Sequence, residues 1–352
     1  MKSESIQLVK SVFEKPLSYF KLGTAQVHEN MTIIPIIVQD EKFIEFINIK
    51  EAEELELVEI VETDSVNQLE VINKSDKQVL IPFGMTVHGG KQDRTIWEPI
   101  LLPVGGKQNV FKDKYEEMNQ KSNIPNQKYS IPAKCIEQSR WNYTGKRGFK
   151  STNQRLHPNV AFESISSAGQ GAVWGEIQAH RSEMKYAAGV APTQSYLDMT
   201  KNSEKETDKI IKNFENINNQ CGVAVFINGE LIGIEFYANP NAWKTMSKDI
   251  LKAFSIEALR FKDQPKKNEI SDFHDVFLKI LKKLSLEYTS RDGVGLGNVV
   301  EFTSKDNKWR GITLVHEEHL VQFYLVSKRG GYQAESHQEI QFQTNIAQRY
   351  TI

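Results

Sequence analysis

The chain has 352 residues, 25% of them charged and 39% hydrophobic, which lies in the globular range and excludes a disordered or fibrous chain. Forty-four basic residues against forty-five acidic ones leave a formal charge of −1, so no global field draws it to nucleic acid or to an anionic membrane. Its two cysteines, Cys135 and Cys221, form no CxxC pair and no Cys/His cluster, which excludes a disulfide scaffold and predicts neither structural zinc nor an iron–sulfur cluster.

The first segment, MKSESIQLVKSVFEKPLSYF, mixes charges into its apolar positions and reads as an N-terminal extension over 1–20, not as a signal peptide. No run of eighteen apolar residues occurs, so no membrane-spanning helix is expected and the expected setting is the cytoplasm. From about 24 to 104, MTIIPIIVQ, LELVEIVE, QLEVIN, QVLIPFG and RTIWEPILLP read as short strands rich in Ile, Val and Leu. The links ETDSVN and NKSDK are too short for helical crossovers, which predicts antiparallel pairing. Residues 105–130 are polar with a weak helical pattern, and YSIPAKCIE reads as a further strand. The stretch 142–172 is threaded with Gly, Ser, Asn and Pro and predicts loops; Lys146, Arg147, Lys150 and Arg155 give it a local basic excess.

At 173 the period becomes helical, with Val173, Ile177, His180, Met184 and Ala187 on one stripe, followed by the charged amphipathic SEKETDKIIKNFENIN. CGVAVFI and LIGIEFY flank Asn228-Gly229, the signature of a two-residue hairpin. Helices are expected over 241–261 and 270–289, then a closing β-meander from NVVEFTS, WRGITLVHE and HLVQFYLVS, and a mobile tail over 328–352. The predicted class is α+β: a β-rich N-terminal half with an antiparallel sheet, a helical middle and a C-terminal meander. One domain is expected over 21–327, β-rich over 24–141 and mixed over 173–327.

Two polar segments of the β-rich half carry the candidate chemistry. In GGKQDR, Gly89 and Gly90 allow close backbone approach, and Lys91, Gln92 and Arg94 offer a cation, an amide and a fork suited to phosphate or carboxylate. The same six residues also read as a hairpin turn with solvated charges. In CIEQSRW, an extended backbone puts Cys135 and Glu137 on one face, with Arg140 and Trp141 at the strand end. Glu137 is the candidate general acid or base and Cys135 the candidate nucleophile; the alternative is a core cysteine with Glu137 paired to Arg94 or Arg140.

Other motifs carry less. His88, His157, His180, His274, His316 and His319 are scattered without HxH or HExxH, and no metal ligand is assigned. His180, on an apolar helix face, reads as a hydrogen-bonded core residue. Gly169-Gln170-Gly171 resembles part of a phosphate-binding turn but lacks both GxGxxG and GKS/T. The basic 140–157 stretch, with Trp141, Tyr143 and Phe149, reads as a ligand lid or solvated surface before a nucleic-acid groove.

GGKQDR, a strand, IPAKCIEQSRW and then AVWGEIQ at 172–178 together resemble the ADP-ribosylglycohydrolase- and rhodanese-phosphatase-associated protein domain, a mainly prokaryotic family. The resemblance runs over about 20–330, on Gly89, Gly90, Lys91, Gln92, Arg94, Cys135, Glu137, Arg140, Trp141 and Trp174. His88 and Asp93 are where this sequence departs from the pattern. The resemblance implies a place beside enzymes of ADP-ribose and NAD metabolism, which is an association and not an activity.

The leading expectation is therefore an enzyme or processing factor, a hydrolase in type, acting on an ADP-ribose-type or nucleotide-sugar ligand. Arg94 and Arg140 would hold phosphate, Trp141 would pack on a ring and Glu137 would move a proton. The competing expectation is a non-catalytic ligand-binding or protein-interaction module in which the same residues form a structural network. The expected partner is a small nucleotide-like ligand, with no membrane and no nucleic acid; no cofactor or oligomeric state is assigned.

Overall fold

The computed structural model describes residues 2–38, 43–63, 65, 67–105, 127–137, 148–165, 169–184, 195–264 and 270–328. In chain order, α1 (Lys2–Glu14) and α2 (Pro16–Tyr19) precede β1 (Phe20–Leu22), β2 (Gln26–His28) and β3 (Met31–Val38). Then come β4 (Ile47–Asn48), α3 (Ile49–Glu54), β5 (Val58–Glu62), β6 (Gln68–Asn73), β7 (Val79–Ile81), β8 (Met85–Gly89), β9 (Arg94–Ile96) and β10 (Ile100–Leu102). The middle holds β11 (Lys128–Cys135), β12 (Gly148–Arg155), α4 (Pro158–Ile165), α5 (Gln170–Glu183), α6 (Tyr196–Asn202) and α7 (Glu204–Ile211). The remainder is β13 (Gly222–Ile227), β14 (Glu230–Tyr237), α8 (Pro240–Arg260), α9 (Phe273–Lys283), β15 (Leu286–Asp292), β16 (Asn298–Ser304), β17 (Trp309–His316) and β18 (His319–Ser327). The class is α+β, as the sequence predicts.

A nine-stranded antiparallel sheet runs β1-β3-β13-β14-β18-β17-β16-β15, with β2 also on β3. Its central strands are nearly all apolar because both faces are covered. Val223, Val225 and Ile227 of β13 join the core that includes Trp243, Ile250 and Phe254 of α8. The alternate residues Ala224 and Phe226 face Val9 and Phe13 of α1 and Phe277 and Leu281 of α9. The N-terminal segment is thus a helix packed on the sheet. Asn228 and Gly229 have φ of 51° and 80°, and Ile227 pairs with Glu230 across them, so the expected two-residue hairpin forms.

The other strands close a barrel in the order β11-β6-β5-β12-β8-β9, with a third core of Val, Ile and Leu inside, and β10-β7-β4 form a small separate sheet. ETDSVN does link an antiparallel pair, β5 and β6, but NKSDK does not: after β6 the chain leaves the barrel, and β7 pairs antiparallel with β10 and parallel with β4.

Residues 148–165 are not loops. The polar strand β12 buries Phe149 and Arg155 while most of its other side chains stay at least partly open, and it is held by pairing with β5 and β8; tertiary placement overrides its weak propensity. Helix α4 starts at Pro158 and all eight of its residues are buried. The helix expected over 270–289 ends at Lys283, and Leu286 begins β15. The strand expected from Leu55 begins at Val58, because α3 runs to Glu54 and Leu55 caps its C-terminus, donating its N–H to Glu51 O.

Candidate functional site

The turn between β8 and β9 and the end of β11 meet at one rim of the barrel. Register does this directly, since Cys135 of β11 lies opposite Arg94 of β9. Beyond the ladder, the Asp93 backbone N–H donates to Glu137 Oε2 at 3.2 Å and the Gln92 Nε2 amide donates to Glu137 O at 3.0 Å. GGKQDR and residues 135–137 of CIEQSRW therefore share one site. Arg140 and Trp141 lie outside the described residues.

The glycines serve this turn from inside. Gly90 has φ of 50°, and a Cβ there would fall 2.2 Å from Glu62 Oε2 and 2.4 Å from Phe149 Cζ. The absence of a side chain lets the next peptide reach that carboxylate, to which Lys91 N–H donates at 2.9 Å. At Gly89 a Cβ would lie 2.3 Å from Gly148 O on the neighbouring strand.

Arg94 is only 2% exposed. Its Nη2 lies 3.7 Å from Glu62 Oε1, and its Nη1 donates to Gln92 Oε1 at 3.0 Å. Glu62 at the end of β5, which nothing in the local sequence marks, neutralises the guanidinium and orients the turn. Gln92, Asp93 and Glu137 are likewise buried. GGKQDR is a hairpin turn, but its Gln, Asp and Arg are buried and not solvated.

Cys135 is buried, and its thiol donates to Glu137 O at 2.8 Å. Burial pushes the thiol above its ordinary value, and the hydrogen bond to Glu137 and the charge of Arg94 only partly offset this. That environment suits a packing cysteine better than a thiolate nucleophile. The Gln170 side chain, at the start of α5, embraces the Cys135 peptide, accepting from its N–H at 3.0 Å and donating to its carbonyl at 2.5 Å. Gly169-Gln170-Gly171 thereby docks α5 on the barrel.

Two further residues complete the site, and sequence reading gave neither a role. His88 Nδ1 lies 2.7 Å from Asp93 Oδ1, with the imidazole 59% exposed and the carboxylate buried. The other carboxylate oxygen, Asp93 Oδ2, accepts from Ser195 Oγ at 3.4 Å. Ser195 forms an isolated antiparallel bridge with Glu137, and Tyr196 N–H donates to Ile136 O. Lys150 on β12 is exposed and directly opposite His88, so both side chains leave the same face of the sheet. The available signal was His88 five residues before Asp93, across a glycine turn.

Tyr196 connects this rim to a second buried group. Its hydroxyl donates to Arg155 O at 2.7 Å and accepts from His157 N–H at 2.9 Å, while its ring stacks on the His157 imidazole at 4.9 Å. His157, His180 and Glu257 each offer a ligating atom, all within 4.8 Å of one another, and among the described residues they are the set able to hold a metal. His180 is fully buried, yet neither of its ring nitrogens has a hydrogen-bond partner, so it is not the hydrogen-bonded core histidine expected.

Comparison with known proteins gives one informative match. A family model described as the ARG and Rhodanese-Phosphatase-superfamily-associated Protein domain matches residues 19–111 and 124–326. Searches of curated proteins and of solved structures returned no match. With the barrel rim, α5 and the large sheet all inside the matched span, the chain belongs to the ARG and Rhodanese-Phosphatase-superfamily-associated Protein domain family.

Proposed function

We propose that the chain processes an ADP-ribose-type or related nucleotide-sugar ligand at the barrel rim, with the His88–Asp93 pair as its proton-transfer group. The observation that carries this reading is an exposed imidazole held at 2.7 Å by a buried carboxylate. A carboxylate bonded to Nδ1 fixes the tautomer and leaves Nε2 to take or give a proton, the usual arrangement of a general base. Glu137, the first candidate for that role, is 3% exposed and receives the Asp93 N–H, so here it holds Asp93 in place. For a diphosphate, exposed Lys150 beside His88 is better placed than Arg94, whose charge already meets Glu62. The substrate class rests on the family's association with ARG systems, ARG being read as ADP-ribosylglycohydrolase.

A second reading, the non-catalytic binding module, is favoured by the internal pairing of Arg94, Gln92 and Glu62. Turnover of NAD, ADP-ribose and an ADP-ribosylated protein by the purified chain separates the two. Processing predicts product from one of the three, and a loss of roughly 100-fold or more in His88→Ala, whose exposed site should leave folding intact. Binding without product, equal in wild type and variant, supports the module. Full activity in His88→Ala removes the assigned proton carrier.

A further inference from the structure

We propose that His157, His180 and Glu257 form a binding site for one divalent transition-metal ion, of the zinc, iron, cobalt or manganese type. The inference is independent of the proposed substrate, because its test reads metal and not turnover.

The three ligands come from separate elements: His157 immediately precedes α4, His180 is in the last turn of α5 and Glu257 is in the last turn of α8. All three are fully buried, and their ligating atoms lie within 4.8 Å of one another. What points to an ion is the hydrogen-bond account. Neither nitrogen of His180 nor Nε2 of His157 has a partner, while His157 Nδ1 lies 3.4 Å from Glu257 Oε1 and Glu257 Oε2 lies 3.6 Å from Arg260 Nη1, both without a hydrogen bond. Leaving a buried polar atom unpaired costs about 1–3 kcal/mol, so three partnerless imidazole nitrogens in one buried cluster call for a ligand. The imidazoles lie 4.3 Å apart between centroids, with the Tyr196 ring stacked on His157 at 4.9 Å.

Charge points the same way. Glu257, Glu176 and Glu183 converge on the single guanidinium of Arg260: Nη1 is 2.7 Å from Glu176 and 3.6 Å from Glu257, and Nε is bonded to Glu183. Carboxyl groups outnumber the guanidinium in this cluster.

Two imidazoles and a carboxylate are borderline donors that suit zinc and its first-row neighbours over calcium or magnesium, and three protein ligands leave at least one position open. Sequence reading assigned no metal ligand because the three residues are 23 and 77 positions apart, outside any short ligand motif.

Elemental analysis of the untagged full chain, as purified and again after refolding with zinc, cobalt or manganese, tests the site. Expected is about one equivalent of one such metal per chain, visible d–d bands in the cobalt form and a thermal midpoint lowered by chelator. His180→Gln and Glu257→Gln should each reduce metal affinity by roughly 10-fold or more. Should both variants misfold, the wild-type cobalt spectrum still decides, since imidazole coordination shifts the bands and an adventitious surface ion does not saturate at one equivalent. Less than about a tenth of an equivalent under every loading condition, or unchanged affinity in folded His180→Gln and Glu257→Gln variants, overturns the proposal.

Discussion

At the scale of single residues, the site joins atoms whose roles differ from what their chemistry suggests in isolation. Arg94 was the natural phosphate clamp, but a guanidinium at 2% exposure facing Glu62 is an internal counter-ion. Arg94→Ala should therefore cost about 3–5 kcal/mol in urea denaturation, because it strands a buried carboxylate. Adding Glu62→Gln should recover part of that loss. Unchanged stability with weakened ligand affinity would return Arg94 to the ligand. Gly90→Ala should destabilise by about 2 kcal/mol or more, since φ is 50° and the methyl would collide with Glu62 and Phe149. A third test lies next to the motif. Burial pulls the Lys134 ammonium down to about 8 from its ordinary 10.5. The unfolded chain then binds more protons between these values, so the penalty is complete below pH 8 and fades as pH rises towards 10.5. The stability of wild type relative to Lys134→Met should rise across that window by on the order of 2 kcal/mol. A flat difference would mean that Lys134 is solvated.

At the scale of elements, local patterns were readable where local energetics decide. The Asn228-Gly229 hairpin forms as expected because both residues tolerate positive φ, and Asn228 Nδ2 also donates to Phe261 O at 2.8 Å, tying the turn to the end of α8. Asn228→Ala should cost about 1–2 kcal/mol through the lost bond and the strained φ. The meeting of GGKQDR with residues 135–137 of CIEQSRW was also legible, since both border strands and sheet pairing is the direct way to unite them. Strand β12 and helix α4 were not legible: a strand of Lys, Ser, Thr, Asn and Gln gains its place from β5 and β8, which are distant in sequence. The partnership of Glu62 and Ser195 with the rim was hidden for the same reason. Tyr196, the link between rim and histidine pair, gives a sharper element-scale test. Tyr196→Phe removes both bonds of its hydroxyl, leaving His157 N–H and Arg155 O unpaired in the interior. A loss of about 2 kcal/mol is expected in thermal or chemical unfolding. No loss would show that water replaces the hydroxyl.

At the scale of the whole molecule, the barrel and the large sheet are joined by buried polar contacts. Arg155 at the end of β12 donates to Phe83 O at 2.7 Å and pairs with Glu235 of β14 at 2.6 Å, and Gln322 of β18 accepts from Phe83 N–H. Equilibrium unfolding is expected to be one transition by both fluorescence and circular dichroism, with no stable fragment from limited proteolysis near residue 218. Two separated transitions, or two folded halves after cleavage there, would show independent domains. The order of strands in the large sheet has a further consequence for synthesis. β3 is an eight-residue run of mostly apolar side chains, yet one of its edges pairs with β13, about 190 residues later. Until the β13–β14 hairpin is made, that edge has no native partner, so the emerging chain carries an adhesive strand until those residues are added. Folding of the sheet must wait for β13 to β18, and nascent chains arrested before residue 222 should depend on a holding chaperone to stay dispersed.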